Sequence, residues 1–295
     1  MNRRHYLRAV GVGGTLSFAG CAGGASVDEE PGVAGEALTV AASTTTHDSG
    51  LLDALTPGFT ERFGPRVRTV VRGTGGALRT ARNGDCDAVL VHARSLEDEF
   101  LRDGAGTNRR AVMVNDFLVV GPPADPVGVG GAGPVGAFEA IADAEAAFLS
   151  RGDRSGTHLR ERRVWDEAGI DPAGDWYGET GQGMGNTLTL AAETGAYTLA
   201  DRGTFLNVAD GRLAAHVDRG IDAPGPLLRN EYAVIPVNPA RHDVAYPLAM
   251  AFAGYLTGPA QETIEGFRIA GERAFRPAGP SATPGFEQYV PSDWR

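Results

Sequence analysis

The sequence predicts an α/β protein built as two lobes with a ligand cleft between them. Apolar strand candidates alternate along the 295-residue chain with segments of helical periodicity. Three of the turns that lead from a strand into a helix are rich in Ser, Thr and Gly. Two long apolar runs, 113–121 and 232–239, are expected to cross between the lobes.

The first two turns place hydroxyl groups at the carboxyl ends of predicted strands, where open parallel sheets bind ligands. The strand expected at 38–42 is followed by four hydroxyl residues, of which at most two can cap a helix: Ser43, Thr44, Thr45 and Thr46. The others face either solvent or a ligand. The strand expected at 67–71 leads to Thr74 within a Gly-rich turn that opens a helix ending at Arg82.

The third turn carries the strongest indication of an anion site. A strand ending at Leu149 is followed by Arg151 and then by Ser155, Gly156 and Thr157, before helical periodicity at 159–168. The hydroxyls and the free N–H groups of a helix start all donate, and the helix dipole adds positive charge. Arg151 adds a permanently charged planar fork, and Gly156 allows close approach of a ligand. An ordinary helix cap beside a surface Arg is the alternative interpretation.

The first 36 residues are predicted to be a signal and a tether. A twin-Arg pair, Arg3 and Arg4, precedes a Gly-rich apolar stretch at 9–19 that is too short to span a membrane stably. The small residues before Cys21 resemble a lipobox. We therefore expect a twin-Arg lipoprotein signal at 1–20, export of the folded protein, a lipid anchor at Cys21 on the outer face of the membrane, and a flexible tether at 21–36.

Composition excludes some functions. The net charge is −10, and all 27 residues of the Lys and Arg count are Arg, an acidic balance that resembles proteins adapted to high salt and argues against a nucleic-acid partner. The six His residues show no metal-ligand spacing, so no metal site is expected. Apart from Cys21 the chain has only Cys86, which we expect to be a small buried residue.

The two crossings predict a discontinuous first lobe, 37–115 with 231–295, and a second lobe, 116–230. We expect a largely parallel sheet in each lobe. The Gly- and Pro-rich stretch at 126–136 is interpreted as a surface excursion. The Gly-rich loop at 181–187 lacks the Lys of a phosphate-binding loop and is either a tight packing turn or a border of the cleft.

Several aromatic and His residues leave alternatives open. Trp165 has the spacing of a core residue, whereas Trp176 and Tyr177 are candidates for the cleft wall. His47 and His158 each follow a hydroxyl cluster, where a capping or core role is favoured over contact with a ligand.

The chain resembles the substrate-binding proteins of tungstate ABC transporters, within the periplasmic oxyanion-binding family. The similar segments follow the same order over nearly the whole mature chain: 42–52, 73–78, 87–93, 108–110, 115–117, 150–158, 176–177, 179–185, 196–199 and 201–204. Arg154 departs from the pattern, since relatives usually carry an acid there. The resemblance implies a type II periplasmic-binding-protein-like fold and a monomeric receptor, not an enzyme, that needs no cofactor and delivers tungstate or molybdate to an ABC permease.

The predicted ligand contacts come from the three turns: Ser43, Thr44, Thr45, Thr74, Arg151, Ser155, Gly156 and Thr157. Tungstate and molybdate are fully deprotonated dianions, so donors alone can bind them without a metal. Phosphate carries a proton and benefits from a carboxylate such as Asp153 or Asp48, and it stays a rival ligand. A second alternative is an exported hydrolase with Ser155 or a Thr as nucleophile and His158 as base, although the turn is not a Gly-x-Ser-x-Gly elbow.

Overall fold

The computed structural model describes residues 37–278, which form a mixed β-sheet covered by helices. The strands are β1 (Leu38–Ser43), β2 (Val67–Arg72), β3 (Ala88–Val91), β4 (Arg110–Gly121), β5 (Phe148–Ser150), β6 (Tyr177–Glu179), β7 (Thr198–Asp201), β8 (Ala214–Val217), β9 (Arg229–Pro236), β10 (Arg268–Ile269), β11 (Glu272–Arg273) and β12 (Arg276–Pro277). The helices are α1 (Thr44–Asp48), α2 (Leu51–Phe63), α3 (Thr74–Arg82), α4 (Arg94–Arg102), α5 (Pro134–Asp143), α6 (Gly156–Glu167), α7 (Met184–Thr194), α8 (Arg202–Val208), α9 (Gly225–Leu228), α10 (Tyr246–Leu256) and α11 (Ala260–Gly266).

Strand direction differs from the prediction of largely parallel sheets. β1 pairs in parallel with β2 and β3, and β5 pairs in parallel with β6. β9, however, runs antiparallel to both β3 and β4, and β4 runs antiparallel to β7, β8 and β12. Apolar periodicity reports which face of a strand is buried but not the direction of its neighbours, so the sequence alone did not reveal this.

The apolar run at 113–121 lies within the single strand β4. The first part of β4 pairs with β9, from Arg110 opposite Val234 to Asp116 opposite Arg229. The second part, from Phe117 onward, pairs with β7 and β8. The run therefore does connect two parts of the sheet, and it is long because every residue from Val112 to Gly121 is buried.

The core consists of hydrophobic clusters on opposite faces of the sheet. Along β1, Val40 and Ala42 enter one cluster and Ala41 enters another; along β4, Phe117 and Leu118 are divided in the same way. This alternation follows from the two-residue period of a strand with helices on both faces. The lobe boundaries at 115/116 and 230/231 stay a prediction.

The stretch at 126–136 is not a simple surface excursion. The Asp125 carboxylate accepts hydrogen bonds from the backbone N–H groups of Val129 (3.1 Å) and Gly130 (2.8 Å). This turn directs Val129 inward, where it is fully buried beside Phe117, and α5 already begins at Pro134. The carboxylate of Asp125 thus caps a turn that anchors this Gly-rich segment to the core through Val129.

Cys86 and Trp165 are buried, as predicted. Burial raises the pKa of the Cys86 thiol to about 12, which leaves it unreactive. Between residues 37 and 278, no helix combines the length and apolar character needed to cross a bilayer. The predicted signal, tether and lipid-anchor residue Cys21 lie outside the described residues.

Candidate anion-binding site

The row of hydroxyl residues after β1 is mostly helical, whereas a turn was predicted. Ser43 is the N-cap of α1, and its Oγ lies 2.7 Å from Thr46 Oγ1 and 3.1 Å from Thr45 Oγ1. These three side chains are buried, and Ser43 hydrogen-bonds to both Thr residues. A capping Ser allows the following Thr residues to begin a helix at once, so α1 begins at Thr44.

Thr74 is the first residue of α3 and is fully buried. Its Oγ1 has no hydrogen-bond partner. The preceding Gly73 faces Asp153, because a Cβ built at Gly73 would lie 3.9 Å from Asp153 Oδ2. The start of α3 and the turn after β5 are therefore close together.

Arg151 links the turn after β5 to α1. The side chain is 2% exposed, and its Nη2 donates to Asp153 Oδ2 at 2.6 Å and to Thr44 Oγ1 at 3.4 Å. Its Nε donates to the backbone carbonyl of Gln182 at 3.2 Å, so the loop at 181–187 contacts this side chain. The remaining nitrogen, Nη1, is buried without a partner. A permanently charged guanidinium thus keeps an open donor inside the protein.

The start of α6 combines a cap with an open donor. Ser155 is the N-cap, and its Oγ accepts from the backbone N–H of His158 at 3.3 Å. Asp153 Oδ1 accepts from the backbone N–H of Ser155 at 3.0 Å. Thr157 is 1% exposed and its Oγ1 has no partner. The capping role therefore explains why Ser155 occurs here. It does not explain the buried Thr157 hydroxyl, which has no hydrogen-bond partner.

Three open donors in this region belong to residues predicted to contact a ligand: Thr74 Oγ1, Arg151 Nη1 and Thr157 Oγ1. Within residues 37–278, the other buried side-chain atoms without a partner lie on Glu97, Asn115, Asp201 and Thr204. A buried polar group left without a hydrogen bond costs about 1–3 kcal/mol. A cluster of unpaired donors is therefore typical of a site that is completed by an acceptor.

Two buried residues near these donors were not predicted. His92 follows β3, and its Nε2 lies 2.9 Å from Thr45 Oγ1. Burial lowers the pKa of His92 to about 4, so the ring is neutral at neutral pH. Asp201 is the N-cap of α8, and burial raises its pKa to about 6. His92 and Asp201 share one feature that the sequence does show: each is a polar residue at the carboxyl end of an apolar strand.

Other candidates lie elsewhere. His47 is exposed, and so is Arg154, whose backbone N–H donates to His158 Nδ1 at 3.0 Å. Trp176 and Tyr177 pack on the core cluster around Trp165. Because Ser155 Oγ contacts the backbone of His158 and not its imidazole, the nucleophile–base pair of a hydrolase is not formed here. The described part of the chain contains no cluster of metal-ligating side chains.

Comparison with known proteins identifies the family. Residues 25–260 match the PBP superfamily domain. The chain belongs to the PBP superfamily. This membership confirms the predicted periplasmic-binding-protein-like α/β fold.

Members with similar sequences are named as anion-binding proteins. The chain is 49% identical to a putative ABC transporter anion-binding protein of Haloferax volcanii, across 100% of this chain and 91% of the relative. It is 43% identical to the tungstate-binding protein TupA of Peptoclostridium acidaminophilum, across 77% and 80%. The solved structure of TupA from Desulfovibrio alaskensis G20 is 40% identical, with a TM-score of 0.71 across 83% of this chain and 100% of that one.

Proposed function

We propose that the protein captures tungstate, or the closely similar molybdate, and delivers it to an ABC permease as a monomeric receptor. The observation that carries the proposal is the group of buried open donors on Thr74, Arg151 and Thr157. Thr74 lies at the start of α3, whereas Arg151 and Thr157 lie on the segment that leads from β5 into α6, so the donors come from two different turns. The names of the relatives support tungstate as the ion.

Accepting the proton of phosphate requires a carboxylate near Arg151. Asp153, which was a candidate acceptor for a phosphate proton, has both carboxylate oxygens occupied, one by Arg151 and one by the backbone of Ser155. Asp48, the second candidate, lies near Arg151, and burial raises the pKa of its carboxyl group. Asp201 Oδ2 is a buried carboxylate oxygen near Arg151 that has no hydrogen-bond partner. Phosphate is therefore one of the anions to be titrated.

The test is a calorimetric titration of the purified protein with tungstate, molybdate, sulfate and phosphate in matched salt. We expect tungstate and molybdate to bind stoichiometrically and to be recovered unchanged. Tight binding of phosphate without measurable binding of tungstate would make the protein a phosphate receptor. Consumption of a ligand during the titration would instead support an enzyme.

We also propose that the protein is exported by the twin-Arg route and anchored through a lipid on Cys21. Changing Cys21 to Ser is expected to release the protein from the membrane fraction into the medium, because no thiol is left to be lipidated. The matched control is Cys86→Ser, since this buried thiol lies outside the predicted signal sequence. Membrane fractionation with immunoblotting measures the location of both variants. A C21S protein that stays in the membrane fraction would contradict the proposed lipid anchor.

Thr157→Val should change affinity and stability in opposite directions. Valine has the shape of threonine but lacks the buried hydroxyl that has no partner. We expect the ligand-free variant to be more stable by about 1 kcal/mol, because an unpaired polar group is removed, and its tungstate affinity to fall roughly 2- to 10-fold. Thermal melts and calorimetry measure the two effects.

The matched control is Thr198→Val. Thr198 is equally buried, but its hydroxyl donates to the carbonyl of Leu149 at 2.6 Å. Its replacement should lower stability and leave the tungstate affinity unchanged. If T157V binds tungstate as tightly as the unmodified protein, the Thr157 hydroxyl is not a ligand donor.

A further inference from the structure

His92 connects three segments that meet at the proposed oxyanion site. Its Nε2 lies 2.9 Å from Thr45 Oγ1 in α1, and its Nδ1 lies 2.9 Å from Asn230 Oδ1 in β9. The imidazole stacks on Tyr232, with ring centroids 4.7 Å apart. On another side it touches the start of α6, where a Cβ added to Gly156 would lie 2.7 Å from His92 Cε1. The ring is thereby held in one orientation.

The partner on β9 determines which ring nitrogen carries the proton. The amide oxygen of Asn230 can only accept, so Nδ1–H of His92 donates to it. The amide nitrogen of Asn230 is directed to Tyr232 Oη at 3.3 Å, consistent with this orientation of the amide. Because the ring is neutral, Nε2 keeps a lone pair and accepts. The hydroxyl of Thr45 must therefore donate to His92.

The hydrogen bond from Thr45 to His92 determines which hydroxyl groups can donate to an oxyanion. A Thr hydroxyl has one proton, so Thr45 cannot also donate it to an oxyanion. Thr45 Oγ1 can still accept, and it lies 3.1 Å from Ser43 Oγ. The donors that remain on this side are Thr44, which already contacts Arg151, and the backbone N–H groups.

We propose that His92 is a positioning residue: its Nε2 accepts the hydrogen bond of the Thr45 hydroxyl and holds the first turn of α1 against the turn that carries Arg151. The inference rests on the proposed oxyanion function and revises one part of the sequence prediction. Thr45 contributes to the site by supporting its neighbours, and its hydroxyl does not donate to the ion. An apolar side chain of similar size would fill the space of the ring but would leave the Thr45 proton and the Asn230 oxygen unpaired.

Two amide substitutions separate the functions of the two ring nitrogens. In His92→Gln the amide reaches the position of Nε2, and in His92→Asn it reaches the position of Nδ1. Both variants lose the stacking on Tyr232 to a similar extent, so each is the control for the other. We expect H92Q to bind tungstate within about twofold of the unmodified protein, and H92N to bind roughly 2- to 10-fold more weakly, as for loss of one hydrogen bond. Equal weakening in both variants would overturn the proposal.

The tautomer gives a second readout that needs neither variant nor ligand. Nitrogen NMR of the ¹⁵N-histidine-labelled protein, with His92 identified by its contacts to Tyr232, should show a neutral ring protonated at Nδ1. A ring protonated at Nε2 would overturn the proposal even if both variants fail to fold. If the unmodified protein binds none of the four oxyanions, the proposed function fails, and the tautomer still decides whether Thr45 donates to His92.

Discussion

Replacing Arg151 by Ala is expected to weaken tungstate binding by about 10- to 150-fold, because hydrogen bonds to a charged group contribute about 1.5–3 kcal/mol. The guanidinium is 2% exposed, and its Nη1 is the open charged donor of the site. In a buried site the loss is not compensated by water. The substitution also leaves the carboxylate of Asp153 without its 2.6 Å partner, so its negative charge beside the ion is no longer neutralised.

The matched control for Arg151 lies in the same turn. Arg154 is exposed, so Arg154→Ala removes the same charge without removing a buried donor. Its tungstate affinity should stay within about twofold of the unmodified protein, the change expected when a screened surface charge is lost. Calorimetric titration of both variants is the measurement. Equal affinities of R151A and R154A would rule out the proposed function of Arg151.

Changing Gly156 to Ala is expected to have the second large effect. The new Cβ would lie 2.7 Å from His92 Cε1 and 3.0 Å from the His92 backbone oxygen. His92 cannot turn away without losing its hydrogen bonds to Thr45 and Asn230, so the start of α6 must withdraw. Such overpacking costs about 1–3 kcal/mol, which corresponds to a melting temperature roughly 2–12 °C lower. The withdrawal also moves Thr157, so tungstate affinity should fall as well.

Gly266→Ala is the control for this substitution. Gly266 is the last residue of α11, and nothing lies within 4 Å of a Cβ built there. Alanine is the better helix former, so this variant should melt at or slightly above the temperature of the unmodified protein. Thermal melts with and without tungstate measure both variants. An unchanged melting temperature and affinity for G156A would show that α6 does not approach His92 so closely.

The local features of this protein follow from its sequence. Short-range capping and periodicity predicted the strands that end in Ser43, Arg72 and Ser150 to within one residue, and the helices that follow the last two begin three residues before the expected positions, 77 and 159. The buried Trp165 and Cys86 were predicted for the same reason. These features depend on neighbours a few residues away, and such neighbours are visible in a sequence.

The tertiary structure alone decided which donors are free and which are used. The Thr45 hydroxyl and the Thr157 hydroxyl are the same group in similar sequence contexts, yet the first is paired with His92 and the second is unpaired. The pairing depends on contacts across 47 residues, from Thr45 to His92, and across 138 residues, from His92 to Asn230. A hydrogen bond is made only when donor and acceptor are within about 3.5 Å in a suitable direction, and that geometry exists only once the sheet has brought β1, β3 and β9 side by side.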